Sequence, residues 1–129
     1  MPVLHEFGKN LGYDPANFLQ QPHLYVERLS EWFADETIED EDRIWIHARI
    51  GYFIGEVFLS EMGGAWMVCE REVSPFYGHY VVGQFLGSEA VIVPFAAADE
   101  IVNSPPPRSL AALIGQMKSA LIPETITSR

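Results

Sequence analysis

The sequence has a single cysteine, Cys69, which therefore has no partner for a disulfide within the chain. Its first residues, Met-Pro-Val-Leu-His-Glu, have neither the basic start nor the apolar stretch of a signal peptide. The most apolar runs, 50–59 and 90–98, are far shorter than the roughly 20 residues that a helix needs to cross a bilayer. We therefore expect a cytoplasmic protein with no membrane partner.

Basic residues are also scarce, because 8 Lys and Arg stand against 18 Asp and Glu and leave a formal net charge of −10. A field of this sign repels the phosphates of nucleic acids and of anionic lipids. We therefore expect no nucleic-acid partner. A basic protein, a cation or a neutral small molecule remain as ligands, and the acidity is also explained by solubility alone.

The motifs of common enzymes are missing as well. The four histidines, at positions 5, 23, 47 and 79, fall in different predicted elements, and no zinc-binding or calcium-loop spacing occurs. The chain has no Walker motif, no dinucleotide-binding glycine pattern and no nucleophile elbow. Cys69 lies in a predicted strand and is read as a buried structural thiol. The sequence predicts no catalytic residue, no metal site and no cofactor, which favours a non-enzymatic protein.

With 129 residues, 48% of them apolar and 12% aromatic, the chain has enough apolar side chains for one hydrophobic core. We predict a single α+β domain. Residues 1–38 form N-terminal helices separated by Gly12, Asp14-Pro15 and Pro22, residues 39–122 form a helix-sheet-helix core, and residues 123–129 form a tail.

A long hydrophobic helix is predicted from Glu39 to Met62, ended by Gly63-Gly64. A second face of this helix carries Gly51 and Gly55, which would permit the close approach of another backbone or form the seam of a homodimer. The helical period predicts one face that packs into the core: Ile46, Ile50, Phe53, Ile54 and Val57.

The second half of the chain has the pattern of strands, then helices. Segments 66–70, 80–85 and 90–95 are rich in β-branched and aromatic residues, and the short turns between them predict a three-stranded antiparallel meander. The central helix would cover one face of this sheet. A short helix over 96–102 and a last helix from about Ser109 would follow, separated by the run Pro105-Pro106-Pro107.

The most concentrated charge in the chain lies just before the central helix, where six of eight residues are acidic. Carboxylates in a first helical turn are stabilised by the helix dipole, so capping is the simplest role for this run. The alternative role is binding of a basic partner. The carboxylates of this run are Asp35, Glu36, Glu39, Asp40, Glu41 and Asp42.

Two further groups of residues are candidates for binding. Arg49, Tyr52 and Glu56 share a third face of the central helix and would line a pocket, or would mark the boundary between core and solvent. Phe76 and Tyr77 lie in the predicted turn between the first two strands and would form an exposed aromatic tip for a partner.

Four short segments together resemble a family of small uncharacterised bacterial domains. They are Gly55-Glu56-Val57, 62–66 (Met-Gly-Gly-Ala-Trp), Val93-Pro94-Phe95 and Ser109-Leu110. In that family a Gly-Glu helix ends in a glycine and a tryptophan, and strands and a C-terminal helix follow. The resemblance covers residues 44–121 and implies the fold and a bacterial source. It implies no function.

Three functions remain open from the sequence. The first is a non-enzymatic protein-binding module, of an immunity or adaptor type, that uses its acidic surface against a basic partner. The second is a small-molecule-binding domain or minor enzyme with a pocket between the central helix and the sheet. The third is a homodimer subunit without a ligand.

Overall fold

The computed structural model describes residues 2–70, 72–73, 77–85 and 90–121. The fold is α+β and predominantly helical, and none of the helices within these residues has the length and apolar character needed to span a membrane. The elements in chain order are α1 (Pro2–Asn10), α2 (Pro15–Gln20), α3 (Val26–Ala34), α4 (Arg43–Met62), β1 (Ala65–Val68), β2 (Tyr80–Gly83), α5 (Pro94–Val102) and α6 (Leu110–Leu121).

The N-terminal helices are separated at the residues predicted to divide them, Gly12, Asp14-Pro15 and Pro22. Gly12 follows α1 with a φ of 82°, a backbone conformation that favours glycine. The carboxylate of Asp14 accepts hydrogen bonds from the backbone N–H groups of Ala16 and Asn17, at 3.1 and 3.4 Å, and so caps α2. Pro22 begins a 3₁₀ helix, Pro22–Tyr25, that continues into α3.

The central helix α4 begins later than predicted. Asp40–Asp42 form a separate 3₁₀ turn, and the first turn of α4 contains no acidic residue. No side chain caps α4 by a hydrogen bond at Asp42, so the prediction that Glu39 to Asp42 form its first turn is wrong. The C-terminal end is as predicted, since Gly63 has a φ of 73° and its N–H donates to the carbonyl of Leu59.

The core surrounds α4. The helix packs against α5, against α1 and against the 3₁₀ helix before α3, while α3 packs against α6. Five phenylalanines are among its fully buried side chains, which accounts for much of the buried apolar surface. The predicted core face of α4 is confirmed: Ile46, Ile50, Phe53, Ile54 and Val57 are all buried.

The predicted three-stranded meander is not confirmed within the residues that the structure describes. β1 and β2 form a two-stranded antiparallel sheet in which Ala65 pairs with Gly83 and Val68 with Tyr80. The third predicted strand makes only one bridge, through two hydrogen bonds between Val82 and Ile92. Its extension is prevented because Pro94 begins α5, and a proline at the first helical position favours helix over strand.

The helices after the sheet lie close to their predicted positions. α5 includes the predicted segment 96–102 but starts at Pro94, and α6 starts one residue after Ser109. Three predicted features lie outside the described residues: the turn residues Ser74-Pro75, the turn Gly87-Ser88 and the tail 123–129.

The glycine face of α4 is covered by side chains of the same chain. A Cβ atom added to Gly51 would overlap the ring of Phe95, and one added to Gly55 would overlap the ring of Trp66. Both glycines are buried. The prediction that this face receives another backbone or forms a dimer seam is therefore wrong, because two aromatic rings already occupy it.

Candidate functional site

The first concave surface, the acidic cleft, lies between the C-terminal end of α3 and the N-terminal end of α4. Its volume is about 400 Å³. Two indole rings, of Trp32 and Trp45, line it together with buried apolar side chains such as Phe33. Carboxylates from the acidic run complete the lining: Glu36, Glu41 and Asp42. The cleft thus combines aromatic rings with three negative charges.

The two indoles of the acidic cleft are held by one buried ring, that of Phe7 in α1. The ring centroid of Phe7 lies 5.9 Å from that of Trp32 and 5.7 Å from that of Trp45, and both pairs are edge-to-face. Such pairs contribute about 0.5–1.5 kcal/mol beyond the burial of their area. Trp45 nevertheless stays 37% exposed, so part of its ring remains accessible to a ligand.

The carboxylates of the acidic run have few partners. Asp40 lies 3.6 Å from Arg43, and its exposed side chain makes this pair worth at most about 1 kcal/mol. Within the described part of the chain, the other five side chains of the run accept no hydrogen bond and form no ion pair: Asp35, Glu36, Glu39, Glu41 and Asp42. The capping role therefore lacks its hydrogen bonds, and these charges are available to a ligand.

Arg108 fixes the backbone on the α3 side of the acidic cleft. Its guanidinium is buried and donates hydrogen bonds to the carbonyl oxygens of Glu36 (2.8 Å) and Ser104 (2.9 Å). It also lies over the ring of Phe33, 5.1 Å from the centroid. Sequence reasoning missed this role, because a single arginine after three prolines has no pattern that predicts burial.

The predicted group Arg49, Tyr52 and Glu56 is divided by the structure. The guanidinium of Arg49 lies over the ring of Trp45, 4.0 Å from the centroid, and donates to the backbone carbonyl of Trp45. Glu56 instead accepts a hydrogen bond from the indole N–H of Trp66, at 2.7 Å. The structure therefore does not bring Arg49 and Glu56 together, because each side chain has a different tryptophan as its partner.

The environment of Arg49 is partly desolvated. Burial lowers the pKa of its guanidinium from the usual value, and the carboxylate of Glu6 acts in the opposite direction. Its Nε atom is buried, and no hydrogen-bond partner for it exists among the described residues. The cation stays charged at neutral pH because an arginine pKa starts above about 12. Arg49 thus belongs to the side of α4 that carries Trp45.

The second concave surface, the aromatic pocket, lies where α4, α5 and the two strands meet. Its volume is about 280 Å³, and it is lined by Tyr52, Trp66, Tyr80 and Phe95. The centroid of Tyr52 lies 6.0 Å from that of Trp66 and 5.1 Å from that of Phe95. Trp66 and Phe95 are 5.9 Å apart and inclined by 34°, whereas Tyr52 stands at 87° to Phe95. The rings therefore form a corner.

Three contacts fix the rings of the aromatic pocket. Trp66 and Phe95 lie directly on the backbone of α4 at the two glycines described above. Glu56 orients the Trp66 indole through the hydrogen bond at its N–H. His47 Nε2 donates to the carbonyl oxygen of Phe95 at 2.8 Å, since that oxygen only accepts. Tyr80 is the exception, being 62% exposed at the edge of the pocket.

Sequence reasoning selected two members of this region, Tyr52 and Glu56, and missed how the others join them. Trp66, Tyr80 and Phe95 lie in three different elements, so no spacing along the chain connects them. The glycines of α4 were the available signal, because small residues on a helix mark the close approach of another group.

Among the remaining predicted candidates, Tyr77 lines neither concave surface. Tyr77 is 55% exposed, while Phe76 lies outside the described residues. Cys69 is buried, as predicted. Across residues 2–70, 72–73, 77–85 and 90–121, no three His, Cys, Asp or Glu side chains come close enough to hold a metal ion.

Comparisons with protein-family models, with curated proteins and with solved structures found no match to this chain. The function is therefore argued from the two concave surfaces themselves.

Proposed function

We propose that the protein is a non-enzymatic cytoplasmic binding module that recognises a basic protein through the acidic cleft. The observation that carries this proposal is the combination of two indole rings with three carboxylates, unpaired among the described residues, around one cavity of about 400 Å³. An immunity-type protein that neutralises a cationic toxin, or an adaptor for a basic partner, would use such a surface.

The chemistry of the acidic cleft favours a guanidinium or ammonium side chain of the partner. A cation within about 6 Å of an indole centroid is attracted by the ring quadrupole, and arginine also stacks its planar group on the ring. Trp45 already shows this geometry with Arg49 of its own chain, at 4.0 Å. Carboxylates such as Glu41 and Asp42 would then supply the opposite charge.

The net charge supports the same partner over a longer range. A charge of −10 on 129 residues attracts a basic protein before contact, and this attraction falls with ionic strength. Beside Trp45 in the chain, the large apolar side chain of Ile44 is 83% exposed. An apolar contact beside a charged cleft is the arrangement expected of a protein interface.

The test is an affinity purification from the native host with two charge-matched variants. The first variant replaces Glu36, Glu41 and Asp42 of the acidic cleft by lysine. The control replaces three exposed acidic residues elsewhere, Glu27, Glu70 and Glu72, so that both variants have the same net charge. The captured protein is then purified, and its affinity for each variant is measured by calorimetry at low and moderate salt.

A basic partner that binds the wild type and the control, and that the cleft variant binds at least tenfold more weakly, would support the proposal. Equal weakening by both variants would show that only net charge matters. A partner that binds all three proteins equally would exclude the acidic cleft as its site.

A further inference from the structure

The aromatic pocket and the acidic cleft have no lining residue in common. Binding of a basic protein at the acidic cleft therefore does not explain the aromatic pocket. Three of its four rings pack on one another, and Glu56 stands beside them. Glu56 is half-buried and forms no ion pair within the described part of the chain. The pocket is therefore lined by aromatic rings, and the carboxylate of Glu56 lies directly behind one of them, hydrogen-bonded to the indole N–H of Trp66.

We propose that the aromatic pocket binds a small organic cation, specifically a quaternary ammonium group. The centroids of Tyr52, Trp66 and Phe95 are 5.1–6.0 Å from one another. We expect one ammonium group seated at their corner to come within the roughly 6 Å over which a cation is attracted to an aromatic ring. Tyr80, at the exposed edge, adds a fourth ring on the solvent side.

The carboxylate of Glu56 favours a cation over a neutral ligand in two ways. Its negative charge attracts a cation directly, and its single hydrogen bond leaves it unneutralised. It also accepts a hydrogen bond from the indole N–H of Trp66, which increases the electron density of the ring and hence its attraction for a cation. A neutral ligand of the same shape gains only the apolar contact.

The size of the pocket limits the ligand. At about 280 Å³ it is at the lower end of ligand pockets, which run from about 300 to 1,000 Å³. A quaternary ammonium group with a short substituent is of this size. Its methyl groups carry the charge without hydrogen-bond donors, which suits walls that are almost entirely apolar.

The pocket is also organised before any ligand arrives. Gly51 and Gly55 let Phe95 and Trp66 lie on the helix, and the bonds from His47 and to Glu56 fix their positions. A preformed site does not lose binding energy to the ordering of its own side chains. Sub-ångström changes beneath the rings should therefore weaken binding.

The experiment compares choline with its neutral isostere 3,3-dimethyl-1-butanol by calorimetry and by NMR on the full chain. Choline should bind saturably and at least tenfold more tightly than the isostere. The Glu56→Gln variant keeps an acceptor for the Trp66 indole but removes the charge, so it should weaken choline binding about threefold to tenfold and leave the isostere unchanged. Glu70→Gln, at an exposed residue, is the control of equal net charge.

A second pair of variants removes one ring without disturbing the core. Tyr80→Leu, at the exposed edge, should weaken choline binding severalfold, whereas Tyr77→Leu, exposed on the same hairpin but outside the pocket, should not. Charge reversal in the acidic cleft should leave choline binding largely intact, which separates this proposal from the proposed protein partner.

The proposal is overturned if choline shows no saturable binding at millimolar concentration, or if choline and the isostere bind equally. It is also overturned if Tyr80→Leu and Tyr77→Leu have the same effect. A trimethyllysine peptide that binds more tightly than choline would assign the ammonium group to a modified protein, whereas tighter binding of choline would assign it to a free metabolite. Both results retain the proposed chemistry.

Discussion

Replacing Gly55 by alanine should destabilise the protein although alanine is the better helix former. Alanine in place of glycine inside a helix stabilises by about 1 kcal/mol. In α4, however, the new Cβ would overlap two carbons of the Trp66 ring and lie 3.0 Å from a third. The ring would have to move by about 1 Å or more to restore a carbon separation of ~3.5–4.0 Å.

Trp66 is poorly placed to make that movement. It donates to Glu56 at 2.7 Å and contacts both Tyr52 and Phe95. Overpacking costs about 1–3 kcal/mol, and the weakened hydrogen bond to a carboxylate costs up to about 1.5 kcal/mol more. After the gain of about 1 kcal/mol in helix propensity, the expected net loss lies between about 0 and 3.5 kcal/mol, with a central value of about 2 kcal/mol.

The matched control for Gly55→Ala is Gly115→Ala. Gly115 is exposed in α6, and an added Cβ there would meet nothing within 4 Å. The Gly115→Ala variant should therefore be more stable than the wild type by about 0.5–1 kcal/mol. At about 4 °C per kcal/mol for a domain of this size, the Tm should fall by about 8 °C for Gly55→Ala and rise by about 2–4 °C for Gly115→Ala. Calorimetry and urea unfolding would measure both. If the two variants were equally stable, Trp66 would not lie on the helix as described.

Two further predictions concern buried polar groups. Burial raises the pKa of the Tyr13 hydroxyl, and this effect outweighs the opposite effect of Arg28. As the pH rises above about 10, the hydroxyl therefore loses its proton in the unfolded chain at a lower pH than in the folded protein. The free energy of unfolding should therefore fall as the pH rises above about 10, and Tyr13→Phe should reduce that loss in urea titrations from pH 9 to pH 11; an unchanged pH dependence would contradict this. Arg108→Met keeps the contact with Phe33 but leaves carbonyls such as that of Glu36 without a donor, so it should destabilise by about 2–3 kcal/mol in urea unfolding. A loss below about 0.5 kcal/mol would show that water replaces the guanidinium.

The parts of the fold that were predicted correctly depend on local chemistry. Asp14 caps α2, Gly63 ends α4, and the apolar period of α4 selects its buried face. Each of these features is set by residues within a few positions of one another along the chain. The same holds for the start of α6 near Ser109.

The errors concern elements whose state depends on distant partners. Segment 90–95 has the composition of a strand, yet a single bridge at Ile92 is formed before Pro94 begins a helix. The acidic run has the composition of a helix cap, yet among the described residues its carboxylates accept no hydrogen bond from a backbone N–H, and its last three residues form a separate 3₁₀ turn. Composition alone does not decide between these outcomes.

The candidate sites show the same division. Sequence alone determined the strong negative charge, the position of the acidic run and the shared face of Tyr52 and Glu56, because these follow from residue identity and helical period. Only the tertiary structure decided that Arg49 turns to Trp45, that Trp66 and Phe95 cover the glycines, and that four rings from distant segments form one pocket. The physical reason is that side-chain contacts across elements depend on how the helices and strands pack, which no spacing along the chain specifies.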